Sequence, residues 1–151
     1  MNLMSPVSTL MSTDLITVKG NDSINVVRNL FETKNIHHLP VVSYGRLIGI
    51  VSLQDYLTFL HGRPANPGKR ALDDERLRTW LVSEIMTTNV ATLSSHDPIR
   101  TAVDIFQLNR FHALPIADDD RLVGIITTHD LIDLMAREAI RLEDYKAAAR
   151  Q

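Results

Sequence analysis

Two copies of a short polar motif show the spacing most suggestive of chemistry in this chain. Ser52 stands three residues before Asp55, Thr127 stands three residues before Asp130, and both pairs follow a Gly-Ile step. The hydroxyls lie where a β-prone run gives way to a helical pattern, and the free N–H groups at a helix start suit a phosphate. A carboxylate one turn later would repel a phosphate, but it can accept two hydrogen bonds from a ribose diol. The motif therefore favours a ligand that carries a sugar and a phosphate.

The same spacing has a purely structural explanation. Ser/Thr-x-x-Asp at a helix start resembles a capping box, which contributes about 0.5–2 kcal/mol through the cap alone. For a single copy, capping is the favoured interpretation. Two copies at identical spacing after Gly49-Ile50 and Gly124-Ile125 favour ligand binding, because a glycine lets a backbone or a ligand approach a strand closely.

The motif belongs to a longer internal repeat with an offset of 75 residues. Residues 7–60 align with 82–135 without a gap and share 16 identities in 54 positions. Such self-similarity is the signature of a duplicated structural unit. The unit has about sixty residues, and a linker separates its two copies.

Each copy predicts the element order β-α-β-β-α from its apolar spacing and turn residues. Asp22-Ser23 and Asp97-Pro98 are predicted to cap the first helix of each copy. The predicted first-copy elements are strand Leu15–Val18, helix Ser23–Lys34, strands Leu39–Val42 and Arg46–Val51, and helix Leu53–His61. The predicted second-copy elements are strand Val90–Leu93, helix Pro98–Asn109, strands Leu114–Ala117 and Arg121–Ile126, and a helix from Thr128 to about Tyr145.

A single copy cannot bury both its helices and its sheet, whereas two copies packed sheet to sheet can. We therefore expect an α/β fold of two repeats with pseudo-two-fold symmetry. The predicted divisions are repeat 1 over 5–61, a linker over 62–80, repeat 2 over 81–137 and a helical tail over 138–151. Within the linker, a turn-rich start precedes a predicted helix that carries Leu72, Leu77, Trp80 and Leu81.

Composition excludes several classes of protein. The 151 residues carry a net charge of −2, no cysteine and 5% aromatic residues. These values disfavour a nucleic-acid binder that relies on phosphate contacts or base stacking, and they exclude a disulfide framework and thiolate metal sites. No apolar run approaches the ~20 residues of a membrane helix, and the first residues do not resemble a signal peptide. We expect a cytoplasmic protein with no membrane or nucleic-acid partner.

The repeated motifs resemble those of a known family. Leu-Pro-Val-Val followed by Gly-Ile-Val-Ser-Leu-Gln-Asp at 49–55, and Leu-Pro-Ile-Ala followed by Gly-Ile-Ile-Thr-Thr-His-Asp at 124–130, are similar to tandem cystathionine-β-synthase (CBS) domains, or Bateman modules. The resemblance covers about residues 5–137. It implies a regulatory sensor of adenine nucleotides (AMP, or ADP, ATP or another adenosyl compound), with no covalent cofactor, that often forms a disk-like homodimer.

The resemblance also implies two clefts built crosswise, with sugar and phosphate contacts from one repeat and adenine contacts from the other. The Asp55 cleft then combines Ser52, Asp55, His37 and His38, with Ile50 nearby, and an adenine slot formed by Thr87, Ala91, Phe111, His112 and Ala113. The Asp130 cleft combines Thr127 and Asp130 with Ile16 and His38. Small Ala91 and Ala113 leave room for a base, so the sequence ranks the Asp55 cleft as the better site.

Other functions remain as alternatives. A structural dimerisation module with no ligand, or a sensor of another adenosyl ligand or a divalent cation, would use the same fold. An enzyme is disfavoured, because no general base lies beside an obvious nucleophile and no metal-ligand cluster is visible. We expect no catalytic residues and no metal site, an unidentified effector protein as partner, and a homodimer that uses apolar residues such as Phe31 and Phe106.

Overall fold

The computed structural model describes residues 2–61 and 69–138, and within them it confirms two α/β repeats. The first half contains β1 (Val18–Lys19), α1 (Ile24–Thr33), β2 (His38–Ser43), β3 (Arg46–Ser52) and α2 (Leu53–His61). The second half contains α3 (Lys69–Thr79), α4 (Ile99–Leu108), β4 (Ala113–Asp118), β5 (Arg121–Thr127) and α5 (Thr128–Arg137). A short 3-10 turn lies before β1, at Val7–Thr9, and another lies between α3 and α4, at Val82–Glu84. The start of the linker and the tail beyond Glu138 lie outside the described residues.

The strands form one five-stranded sheet in the order β1-β2-β3-β5-β4. Each repeat contributes an antiparallel hairpin, and the two hairpins join at the single pair Arg46↔Arg121. The hairpin turns use left-handed backbone at Tyr44 and Gly45 in repeat 1 and at Asp119 and Asp120 in repeat 2. Glycine and aspartate tolerate this conformation better than most residues do. The narrow junction makes the two repeats distinct units with clefts on either side.

The chain crosses between the repeats at two N-terminal arms, one around Val7 in repeat 1 and one around Val82 in repeat 2. Val7 is fully buried in the core of repeat 2, and Val82 is fully buried in the core of repeat 1. The Val7 N–H donates to the Asp97 carbonyl at 2.7 Å, and the Val82 N–H donates to the Asp22 carbonyl at 2.9 Å. Each repeat therefore completes its core with a segment that belongs, in sequence, to the other.

This crossing explains why the predicted first strands are shorter than expected. Ser12 pairs with Ile125 of repeat 2, and only six residues later Val18 pairs with Val41 of repeat 1. The intervening residues must cross the gap between repeats and cannot stay in one ladder. In the second copy, the crossing leaves only a single bridge from Leu93 to Ile116.

The predicted caps at Asp22 and Asp97 are wrong. Ser23 and Pro98 occupy the cap positions of α1 and α4, and neither helix start has a side-chain cap. The Asp22 carboxylate instead accepts the Lys19 N–H at 2.8 Å, and the Asp97 carboxylate accepts the Ser94 N–H at 2.8 Å. Each aspartate closes the turn before its helix, because the same short side chain reaches backward as easily as forward.

A glycine in the second strand of each hairpin allows an arm to lie against the sheet. Gly49 contacts the segment containing Met86 and Thr87, and Gly124 contacts the segment containing Met11. Both glycines therefore allow another backbone segment to approach closely. This is one of the two uses that the sequence suggests, the other being close approach of a ligand.

Candidate functional site

A cavity of about 500 Å³ opens between the repeats beside the start of α5. Its volume lies within the range of roughly 300–1,000 Å³ that is typical of small-molecule sites. It is lined by Ser12, Asp14, Leu15, Ile16, Asn35, Ile36, His37, His38, Pro40, His112, Ile125, Thr127, Thr128, His129 and Asp130. Residues of repeat 1 form one wall and residues of repeat 2 the other, so this cavity is the Asp130 cleft.

The polar edge of this cleft is the first turn of α5. The Asp130 carboxylate accepts the Thr127 N–H at 2.6 Å and the Thr127 hydroxyl at 2.7 Å through one oxygen, Oδ2. The Asp130 N–H donates to Thr127 Oγ1 at 3.3 Å, which completes a capping box. Among the described contacts, the second carboxylate oxygen accepts no hydrogen bond. The capping interaction therefore holds the carboxylate in place and leaves one oxygen for a diol.

The first repeat forms the same capping box. The Ser52 N–H donates to Asp55 Oδ2 at 2.8 Å, and the Asp55 N–H donates to Ser52 Oγ at 3.0 Å. The structural explanation of the motif thus holds in both copies. It is compatible with ligand binding, because each box uses only one oxygen of its carboxylate.

Four histidines gather around the Asp130 cleft. His37 and His38 enter from repeat 1, and His112 and His129 enter from repeat 2. The Thr128 N–H donates to the His112 carbonyl at 3.1 Å, which fixes His112 beside the start of α5. His38 is half-buried, and burial is the main cause that lowers its pKa, followed by the neighbouring His112 and His37. The carboxylate of Asp55 opposes this shift.

Three residues assigned to the Asp55 cleft, His37, His38 and His112, line the Asp130 cleft. Ile50 and Thr87 are brought together by two backbone hydrogen bonds of 3.0 and 2.9 Å, whereas Ala113 is buried. Ala91 and Phe111 are exposed and do not line the cavity described above. Ile16 lines the Asp130 cleft as expected, and it also packs against the core of repeat 1.

Sequence reasoning missed part of the cavity wall. The missed residues are Ser12, Asp14, Leu15, Asn35, Ile36, Pro40, Ile125, Thr128 and His129. The 75-residue offset could have found three of them, because Ser12, Ile36 and Ile125 correspond to Thr87, Phe111 and Ile50. His129 adjoins Asp130, and its position in the first turn of a helix was the available signal.

Within residues 2–61 and 69–138, no three acidic, histidine or cysteine side chains are grouped so that they could hold a metal ion. No helix in that part is both long and apolar enough to cross a membrane.

Known proteins resemble this chain over most of its length. The family model "CBS domain" matches residues 7–62 and 82–137. A CBS domain-containing protein of Dictyostelium discoideum is 32% identical over 133 residues, which cover 87% of this chain and 91% of that protein.

Solved structures share the fold. The CBS domain pair of protein MJ0100, in complex with 5′-methylthioadenosine and S-adenosyl-L-methionine, is 28% identical with a TM-score of 0.69, covering 90% of this chain and 99% of that one. CBSX2 in complex with AMP is 24% identical with a TM-score of 0.72, covering 88% of this chain and 97% of that one, and this likeness is one of fold. The repeats, the crossed arms and the two family matches together establish that the chain belongs to the CBS-domain family, as a tandem pair or Bateman module.

Proposed function

We propose that this CBS pair is a regulatory sensor that binds an adenosyl ligand, with AMP as the first candidate, in the Asp130 cleft. The observation that carries this proposal is the cavity of about 500 Å³, which both repeats line and which ends at the capping box of α5. The related pair crystallised with methylthioadenosine and S-adenosylmethionine supports an adenosyl ligand.

Each part of an adenosine monophosphate has a suitable counterpart in the cleft. The free oxygen of Asp130 can accept hydrogen bonds from the ribose diol. The Thr128 hydroxyl and the start of α5 suit the phosphate, because a helix start carries partial positive charge. The apolar side chains of Ile16 and Ile36 offer a wall for the adenine base.

We propose the Asp130 cleft as the principal site, although the sequence ranks the Asp55 cleft first. The ranking depends on small Ala113 and bulky Ile16, but Ala113 is buried and Ile16 is partly packed on its own core. The Asp55 cleft, with Ser52 and Asp55, is the second candidate.

The signal follows from the way the repeats are joined. The two hairpins share a single strand pair, Arg46↔Arg121, so a ligand held between repeats adds contacts at a narrow junction. Binding would restrict the relative movement of the repeats, and an effector protein that contacts both would sense the change.

Paired aspartate variants test this proposal. We expect AMP to raise the melting temperature of the wild-type protein, and Asp130→Asn to weaken AMP binding by titration calorimetry more than Asp55→Asn does. Asparagine also serves at helix starts, so neither variant should melt much earlier than wild type without ligand.

Three outcomes would contradict it. A greater loss in Asp55→Asn would return the principal site to the Asp55 cleft. No binding of AMP, methylthioadenosine or adenosine would favour a structural module. Turnover of the ligand would favour an enzyme.

A further inference from the structure

The Asp130 cleft has an unusual set of charges for a phosphate site. Its lining includes four histidines and the carboxylates of Asp14 and Asp130, but neither lysine nor arginine. Among the described residues of this wall, every full positive charge must therefore come from a protonated imidazole. Histidine is the side chain whose charge ordinarily changes near neutral pH.

The immediate surroundings of His38 disfavour its charged form. Burial, then His112 and His37, lower its pKa, and Asp55 on α2 is the acidic group that opposes them. Across the cavity, His38 shares the wall with Asp14 of the first crossing segment and with His129 and Asp130 of α5. Without proton uptake, the two carboxylates that line this wall repel a phosphate.

His129 responds to the same ligand charge from the opposite wall. Its Nε2 lies 3.6 Å from Asp133 Oδ1, one helical turn further along α5, and this ion pair exists only when the imidazole is protonated. His129 is exposed, so its side chain can turn from Asp133 towards a phosphate in the cleft. A protonated His129 and a protonated His38 would then face one phosphate from two repeats.

We propose, on the basis of the function proposed above, that the Asp130 cleft binds phosphate-bearing adenosyl ligands with uptake of a proton by His38, and that His129 turns from Asp133 to the same phosphate. Uncharged adenosyl ligands bind there without proton uptake. The cleft thus selects its ligand by charge, and its preference shifts from uncharged to anionic ligands as pH falls.

The direction of the pH effect follows from linkage. A bound phosphate favours imidazolium and so raises the pKa of His38 above its lowered value in the free protein. Between these two values the complex holds more protons than the free protein, so affinity rises as pH falls. An AMP-like phosphate itself gains a proton at about pH 6, so the effect is cleanest above that value.

For each of the two histidines, the opposite repeat supplies a matched substitution. At the 75-residue offset, Ala113 stands in the position of His38, and Gln54 stands in the position of His129. The fold already accepts these residues at the equivalent sites. The double variant His38→Ala/His129→Gln therefore removes both imidazoles with side chains that suit the local backbone.

Titration calorimetry from pH 6.5 to 8.5, in two buffers of different ionisation enthalpy, counts the protons taken up. We expect AMP affinity for the wild-type protein to rise roughly five- to tenfold across this range as pH falls, with proton uptake, and methylthioadenosine affinity to stay constant. AMP binding to the double variant should show neither the pH dependence nor the proton uptake. His61→Gln, which changes a histidine outside the cavity, should keep both the pH dependence and the proton uptake.

AMP affinity that is independent of pH, or proton uptake that persists in the double variant, would overturn this inference while the sensor function stands. Failure of both AMP and methylthioadenosine to bind would overturn the sensor function and this inference together.

Discussion

Gly49 lies so close to Thr87 that the chain has no room for a β-carbon between them. A β-carbon at Gly49 would be 2.9 Å from the Thr87 carbonyl oxygen and 2.7 Å from the sulfur of Met86. The next residue, Ile50, forms two backbone hydrogen bonds with Thr87. Glycine at this position therefore sets how closely the arm of one repeat approaches the sheet of the other.

Gly49→Ala should destabilise the protein by about 1–3 kcal/mol, because the added methyl group overpacks against backbone. Gly20→Ala is the matched control, since a β-carbon there would meet only side-chain atoms at 3.4 and 3.6 Å. Urea denaturation measures both. Equal midpoints for the two variants would show that the arm can shift without cost.

Asp118 should stabilise repeat 2 in a pH-dependent manner. Hydrogen bonds from Ser95 and then Ser94 lower the pKa of its carboxyl group, and the Ser95 N–H and Ser94 hydroxyl each lie 2.9 Å from Oδ1. Because the folded-state pKa is lowered, this stabilisation is present above the ordinary value of about 3.9 and is lost as pH falls through the folded value.

Asp118→Ser copies Ser43 of repeat 1 and should lower the melting temperature by a few degrees at pH 7, with the difference fading in strong acid. Asp119→Asn, on the exposed turn, is the control and should melt like wild type. A melting-temperature difference between Asp118→Ser and the wild-type protein that stays constant down to pH 2 would contradict the role of the Asp118 charge.

The ribose should contribute to affinity through Asp130. If the free carboxylate oxygen of Asp130 accepts hydrogen bonds from the ribose diol, AMP should bind roughly 5- to 150-fold more tightly than 2′-deoxy-AMP. The reason is that the half-buried carboxylate loses a hydrogen-bond partner in the 2′-deoxy-AMP complex. Calorimetry with the two nucleotides measures the ratio, and Asp130→Asn should narrow it. A ratio near one in the wild-type protein would remove Asp130 from this role.

A homodimer should form through apolar residues other than those expected. Phe31 and Phe106 are half-buried against their own cores, whereas Ile132 and Met135 on α5 are 54% and 52% exposed. Light scattering should give a dimer mass at tens of micromolar protein, and Ile132→Glu/Met135→Glu should give a monomer. Gln107→Glu, on exposed α4 surface, is the control; a wild-type monomer would contradict the prediction.

Local patterns predicted the elements well and the cleft less well. The bounds of α2 follow from the Ser52 capping motif and from the turn-rich segment after His61, both of which act locally. The openness of the Asp130 cleft depends on where Ile16 packs, and that depends on the crossing of the arm between repeats. Two aspartates before helices, Asp22 and Asp97, could reach in either direction, and sequence spacing does not distinguish the two.

The crossed arms also determine the order in which the two repeats can fold during synthesis. Repeat 1 lacks Val82 until the ribosome has made all of the linker, so its core cannot close when its own residues 5–61 have emerged. The arm at Val7, made almost first, must wait for the strands of repeat 2, which are made almost last. Repeat 1 can therefore close its core about midway through synthesis, whereas repeat 2 and the arm at Val7 reach their final packing only near its end.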